Sequence, residues 1–510
     1  MWWAILAAAG VTPCVLATYP PLYDYYNWAL QGKLLSSLLF GVPPGREAVG
    51  ALYGLRLQPV PNLAAPLGMA ILNLAFSPLV AGRVLVALSG LSFAVAYGHL
   101  VRVVQRRPTA LEVLGFVWAN GYFMSRGYIS FLLGLALAFV LIARLTLLMR
   151  SPERHTSPTR LVSLAVLGVA TYLCHLFAWG IAMVVLACSA AWLLGRGKRR
   201  ACAALVASAT PGLVLLVWYA TARQGSSHVL VYESLLRDKA LSLEPLLLFG
   251  RSDPFPPLVP TAWANLVAGV AVVGSTLLAL TVHKPRLQSR PLMLAAGLLW
   301  LAYLVIPFAE IGSNELNSVI KPDERFTLPA LLLALSVMPA RAPGGWRTLA
   351  VTAAALLVLG IHAAEYAHFS RMAEVIEQTV TAAVPADARV LSVTVHQSAS
   401  GGGCSAAPGP SVGPPALKWF GQVRALEEGG LPRTDVLDTG VLYPRFAESE
   451  RDLAVIKIAG DPGSLAELRP DGYDVVEVFG CASDIESVGE ALGARYHLVT
   501  AIPGAGIFQR

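Results

Sequence analysis

A series of long apolar runs restricts this chain more than any other feature. Twelve candidate segments occupy its first 364 residues: 1–18, 62–81, 84–102, 110–125, 128–149, 161–177, 178–195, 202–222, 263–283, 291–308, 326–340 and 348–364. Crossing a hydrocarbon core about 30 Å thick takes about 20 residues of helix, and most of these runs approach that length. In lipid the backbone has no water to bond, so such runs must be helical. Composition agrees, with 55% of 510 residues hydrophobic and only 14% charged, against about 25% charged in a soluble domain. The reading is a polytopic α-helical membrane protein of about 11 to 13 spans.

The net charge of +7 follows from topology and excludes nucleic acid as the implied partner. Basic residues cluster between apolar runs: Arg102, Arg106 and Arg107; Arg150, Arg154 and Arg160; Arg196, Lys198, Arg199 and Arg200; Lys284, Arg286 and Arg290; Arg341 and Arg347. Short basic loops mark the cytoplasmic side. The three longer connections, 19–61, 223–262 and 309–325, carry no dense basic cluster and are expected on the opposite, extracytoplasmic side. Residues 1–18 lack a basic start and a small-residue cleavage site, so they read as an uncleaved first span ended by Tyr19, Pro20 and Pro21. Twelve spans cannot join an internal N-terminus to an external C-terminus, which requires an odd number. One segment is therefore re-entrant or interfacial, or one basic loop is external. The pair 62–81 and 84–102, separated by Gly82 and Arg83, is the weakest place.

The chain divides into a transmembrane helical domain, 1–368, and a small soluble α/β domain, 369–510, expected outside the cytoplasm. From Phe369 charged residues return and short β-branched runs alternate with amphipathic stretches. Val390 to Val395, Leu453 to Ile458, Val475 to Phe479 and Tyr496 to Ile502 read as strands. Arg371 to Ala383, Leu417 to Glu428 and Ile485 to Leu492 read as helices, which makes an α/β layer domain. The glycine triplet between Ser398 and Cys404 reads as a plain loop, since no phosphate-binding Gly-Lys-Ser/Thr motif follows.

No cofactor motif is present. Cys14, Cys174, Cys188 and Cys202 lie in spans, whereas Cys404 and Cys481 lie in the soluble domain and can pair in an oxidising compartment. The chain has no C-x-x-C, no H-E-x-x-H and no histidine cluster, so it builds no zinc site. A divalent metal stays an open alternative.

Ionisable groups at the ends of apolar runs are the candidate chemistry. Asp24 follows the first span among Tyr23, Tyr25, Tyr26 and Trp28. A carboxylate there can be partly desolvated, which suits a general base; equally, Asp is a favoured N-cap for a helix over Tyr25 to Phe40. Between two late spans lie Glu310, Glu315, Lys321, Asp323, Glu324 and Arg325. Arg325 enters the membrane boundary, where it can bind a phosphate or simply snorkel. Arg126 sits at a short break between spans and can meet an anionic head group or a carboxylate. His175 lies where one span ends and the next begins, as a structural residue or a site residue. Glu112 and Arg144 on spans are expected to pair or to face the bundle interior.

A first span followed at once by an external loop with an aspartate and a juxtamembrane helix resembles the GT-C superfamily of multi-span glycosyltransferases. Four short stretches carry the resemblance: Pro20 to Asp24, Gly127 to Gly134, His175 to Phe177, and Asp323 to Phe326. It covers roughly residues 1–370 in layout. The resemblance implies a cell-envelope transferase that takes a sugar from a polyprenyl-phosphate donor and passes it, with inversion, to an acceptor glycan, lipid or protein. Asp24 matches the family's acidic position, with Arg325, Lys321, Arg126, Glu324, His175 and Tyr23 around the donor. Tyr25, Asn27 and Trp28 stand where many members carry a second acid or a histidine. Two other classes stay open: a secondary transporter or lipid flippase, and a non-catalytic membrane scaffold.

Overall fold

The computed structural model describes residues 2–22, 24–55, 58–151, 157–222, 228–231, 261–280, 289–305, 309–312, 324–340, 344–385, 388–395, 422–423, 426, 442–445, 453–456, 470–479, 482–502 and 505–510. Among the described residues up to 383, most of the apolar sequence is helical. In order these helices are α1 Trp2–Leu16, α2 Tyr25–Phe40, α3 Arg46–Leu52, α4 Ala64–Leu72, α5 Pro78–Gln105, α6 Leu114–Ala119, α7 Tyr122–Ser125 and α8 Ile129–Arg150. They continue with α9 Pro158–Cys174, α10 Leu176–Gly195, α11 Arg199–Ala222, α12 Thr261–Ala279, α13 Arg290–Val305, α14 Glu324–Val337 and α15 Gly345–Ala383. Helices α5, α8, α10, α11 and α15 are long and apolar enough to cross a membrane. Short strands β1 Tyr53–Leu55, β2 His228–Val231 and β3 Ala309–Gly312 interrupt the helical part.

The segment 62–81 does not form a span. Helix α4 has nine residues, about 13 Å at 1.5 Å per residue, and the chain turns at Asn73 to Ser77. Pro78 then starts α5, a position where its missing N–H costs nothing. The run 84–102 lies inside that single 28-residue helix. Helix α2, expected as a juxtamembrane helix, has thirteen of its sixteen residues buried. Gly82 of α5 makes this possible, because a Cβ there would stand 2.7 Å from the Tyr25 ring.

Contacts sort the helix ends into two groups. At one end, Arg150 Nη2 donates to Val104 O (2.8 Å), Gln105 Nε2 to Ser336 O (2.7 Å) and Arg107 Nη2 to Ala340 O (2.9 Å). Glu112 pairs with Arg102 at 2.7 Å, while Arg144, expected to pair or turn inward, is exposed. At the other end, Leu63 N donates to Leu173 O (3.0 Å) and Tyr19 N to Ser370 Oγ (3.1 Å). Strand β2 pairs with β3, so the connections 223–262 and 309–325 meet.

The C-terminal part holds β4 Val390–Val395, β5 Leu442–Pro444, β6 Leu453–Ile456, β7 Val475–Phe479, α16 Ala482–Leu492, β8 His497–Ile502 and β9 Ala505–Gln509. A mixed five-stranded sheet runs β6-β4-β7-β9-β8, with β6, β4 and β7 parallel. Leu391, Val393, Val476, Val478 and Phe508 bury one face with Ile485, Val488 and Leu492 of α16. Val475, Phe479, Ala505 and Ile507 belong instead to the cluster that contains the bundle core and Val380 of α15. No break separates the two parts at 368–369: α15 runs 39 residues straight through. The expected helix over Arg371 to Ala383 is its end. Most of the expected helix over Leu417 to Glu428, the glycine triplet, Cys404 and Cys481 lie outside the described residues. Strand β5 lies outside this sheet and pairs with β1, placing the first connection and the C-terminal part at one end of the bundle.

Candidate functional site

The site assembles around one tight turn. Helix α7 stops at Ser125, and the chain turns through Arg126, Gly127 and Tyr128 before α8 begins. Gly127 has φ +72°, and the turn is closed by Gly127 N to Met124 O (2.8 Å) and Tyr128 N to Phe123 O (2.9 Å). That pair of bonds with a left-handed residue between is the Schellman helix stop, which favours glycine.

Asp24 lies directly against this turn. A Cβ on Gly127 would stand 2.7 Å from Asp24 N and 3.1 Å from its Cα. Trp28 Nε1, one turn along α2, donates to Gly127 O at 3.0 Å. Asp24 is buried and occupies the N-cap position of α2, but its carboxylate makes no capping bond. Capping alone therefore does not account for it. Gly127→Ala is expected to destabilise the protein by about 1–3 kcal/mol, through left-handed strain and overpacking against Asp24. A thermal melt of the purified variant reads this; an unchanged midpoint would refute the tight packing.

Arg126 is buried beside the same turn. Its Nε donates to Tyr122 OH at 2.8 Å, and its guanidinium lies 5.3 Å from the centre of that ring. On the other side Tyr128 meets Arg325, the second residue of α14, whose Cζ is 4.8 Å from the Tyr128 ring centre and 4.9 Å from that of Phe177. Arg325 has no carboxylate or hydrogen-bond acceptor among the described residues, and its Nε is buried without one. Aromatic faces hold a cation by their quadrupoles and leave its N–H fork unspent.

His175 closes the group. It is the extended residue between α9 and α10, and its Nδ1 accepts Phe177 N–H at 3.1 Å. An accepting Nδ1 requires a neutral ring with its proton on Nε2, so His175 is a donor there and not a base. Its ring packs on Phe131 at 4.9 Å. Phe177 spans the gap from His175 to Arg325.

The structure thus gathers Asp24, Arg126, His175 and Arg325 around Gly127 and Tyr128. Tyr23, Lys321 and the Glu324 side chain lie outside the described residues. Two participants, Tyr128 and Phe177, lie inside the stretches Gly127 to Gly134 and His175 to Phe177 but are not singled out by sequence, because aromatic residues near span ends are common. Lys33 was missed as well. It is buried in α2, and desolvation lowers its pKa to about 8, while nothing local in the sequence marks it as buried. Among the described residues no three His, Cys, Asp or Glu side chains converge as a metal site. No protein-family model and no curated protein matches the chain.

Proposed function

We propose that the protein is a membrane glycosyltransferase of the GT-C kind, transferring a sugar from a polyprenyl-phosphate donor with inversion on the extracytoplasmic face. The observation that carries this reading is Arg325. A guanidinium held between Tyr128 and Phe177, with no acceptor among the described residues, keeps donors of the kind that bind a phosphate. Asp24, a buried acidic residue, packs against Gly127 of the same turn. An anion receptor and a base near one turn suit displacement at a sugar carbon with phosphate as the leaving group.

In the proposed reaction Asp24 takes the proton of an acceptor hydroxyl as that oxygen attacks the sugar C1. The bond from C1 to the phosphate oxygen breaks, and the lipid phosphate departs as an anion. Arg325, with Lys321 and the Nε2–H of His175, meets the charge that grows on it. Arg126, Glu324 and Tyr23 complete the surroundings of the donor. The polyprenyl tail stays in lipid while the sugar faces water. The acceptor is a glycan, lipid or protein.

The proposed topology has eleven crossings: α1, α5, the broken stretch 110–125, α8, α9, α10, α11, α12, α13, α14 and α15. With α4 re-entrant the number is odd, which joins an internal N-terminus to an external C-terminal domain and keeps the basic loops inside. The test is to incubate purified protein with a polyprenyl-phosphate sugar and candidate acceptors. Saturable donor binding and release of lipid phosphate support the reading. Donor movement across vesicles without chemical change would identify a flippase, and absence of donor binding leaves a scaffold.

A further inference from the structure

The C-terminal part reaches back to the connection that carries Asp24, and two arginines make the link. Strand β5 lies antiparallel to β1, with Tyr53 opposite Pro444 and Leu55 opposite Leu442. Beyond it Arg445 N donates to Leu52 O at 2.8 Å, and Arg445 Nη1 donates to Gly50 O at 2.7 Å. Gly50 belongs to α3. That helix starts at Arg46, whose Nε and Nη2 donate to Leu38 O (2.9 Å) and Leu39 O (3.1 Å). These are among the last carbonyls of α2, which a helix end leaves without internal partners. Helix α2 is a rod of sixteen residues, about 24 Å long, and Asp24 is its N-cap.

We propose that Arg445 is a positioning residue for Asp24. Together with β5 it holds α3, and through Arg46 and the rod α2 it sets how Asp24 seats against Gly127. A two-stranded ribbon of three residues per strand is marginal by itself, so the Arg445 side-chain bond decides whether the ribbon stays closed. The catalytic consequence rests on the reading of Asp24 as the base; the mechanical link does not.

The ribbon's register supplies a covalent test. Leu52 and Arg445 form a hydrogen-bonded pair, so alternation makes Tyr53–Pro444 and Leu55–Leu442 the non-hydrogen-bonded pairs. Proline loses no bond at such a position, and the Cα spacing there of about 4.5 Å accepts a disulfide. The experiment uses the full-length protein with Arg445→Ala, with Arg445→Lys, and with Leu55→Cys plus Leu442→Cys added to Arg445→Ala. Amide exchange is read at 46–55 and at 24–28, beside donor binding and transfer.

Arg445→Ala is expected to speed exchange in both segments and to lower kcat/KM for the acceptor about 10- to 100-fold, the cost of a misplaced reacting group. Donor affinity should not change. Arg445→Lys, which keeps a donor, should fall between. The oxidised cysteine pair should restore protection at both segments and transfer with them, and reduction should undo the rescue. Exchange that rises at 46–55 but not at 24–28 overturns the proposal, as does a cross-link that fails to restore the 24–28 protection. A wild-type protein that transfers no sugar would refute the base and leave the exchange result to decide the link.

Discussion

Asp24→Asn is expected to lower sugar transfer about 10²- to 10⁴-fold, the usual worth of a positioned general base, with donor affinity unchanged. Asparagine matches aspartate in size and in N-cap preference, and the carboxylate makes no capping bond to lose. Helix α2 and the Gly127 contact should therefore persist. What disappears is the group that can take the acceptor's proton, so the loss falls on kcat and not on donor binding. Turnover per folded molecule is the quantity to measure, after checking that the melting midpoint is retained. Full transfer by well-folded Asp24→Asn protein would remove Asp24 as the base.

Arg325→Ala should weaken binding of the lipid-phosphate donor about 10- to 100-fold, since a hydrogen bond to a charged group is worth about 1.5–3 kcal/mol. It should also slow transfer, because the phosphate is charged in the ground state and gains charge in the transition state. Arg325→Lys keeps the charge but loses the planar fork and the stacking on Tyr128 and Phe177, so it should recover only part of the affinity. The two substitutions therefore differ in kind: Asp24→Asn moves kcat alone, and Arg325→Ala moves donor Kd as well. If Arg325 only ties α14 to α8 and α10, the variant will melt earlier and bind donor normally once folded. Equilibrium binding of a labelled lipid-phosphate sugar separates these outcomes.

Several local features were legible in the sequence for a clear physical reason. Helix α2 begins and ends where the aromatic-rich stretch from Tyr25 to Phe40 predicts, with Gly41 left-handed after it. Strands β4 and β7 coincide with Val390 to Val395 and Val475 to Phe479, because buried β-branched runs between polar breaks have few other uses. Strands β1 and β5 were not legible. Three residues carry no periodicity, and each exists only because the other lies beside it. Residues 368 and 369 lie within one helix, α15, whose buried positions continue to Val380, a continuity that the returning charges do not reveal.

The apolar runs by themselves determined the membrane class and the helical backbone, because a bilayer offers unpaired peptide groups no alternative. Charge placement likewise marked the candidate site residues, since an ionisable group beside lipid is costly unless it is used. Only the tertiary structure decided which of them meet. Asp24, Arg126, His175 and Arg325 lie on segments far apart in the chain, and no local propensity links them. Their meeting depends on a left-handed glycine that lets Asp24 approach Gly127 and on two aromatic rings that hold Arg325 beside that turn. It also depends on α4 stopping after nine residues. Hydropathy reads 62–81 as one more span, because an apolar residue facing protein and one facing lipid look alike in sequence.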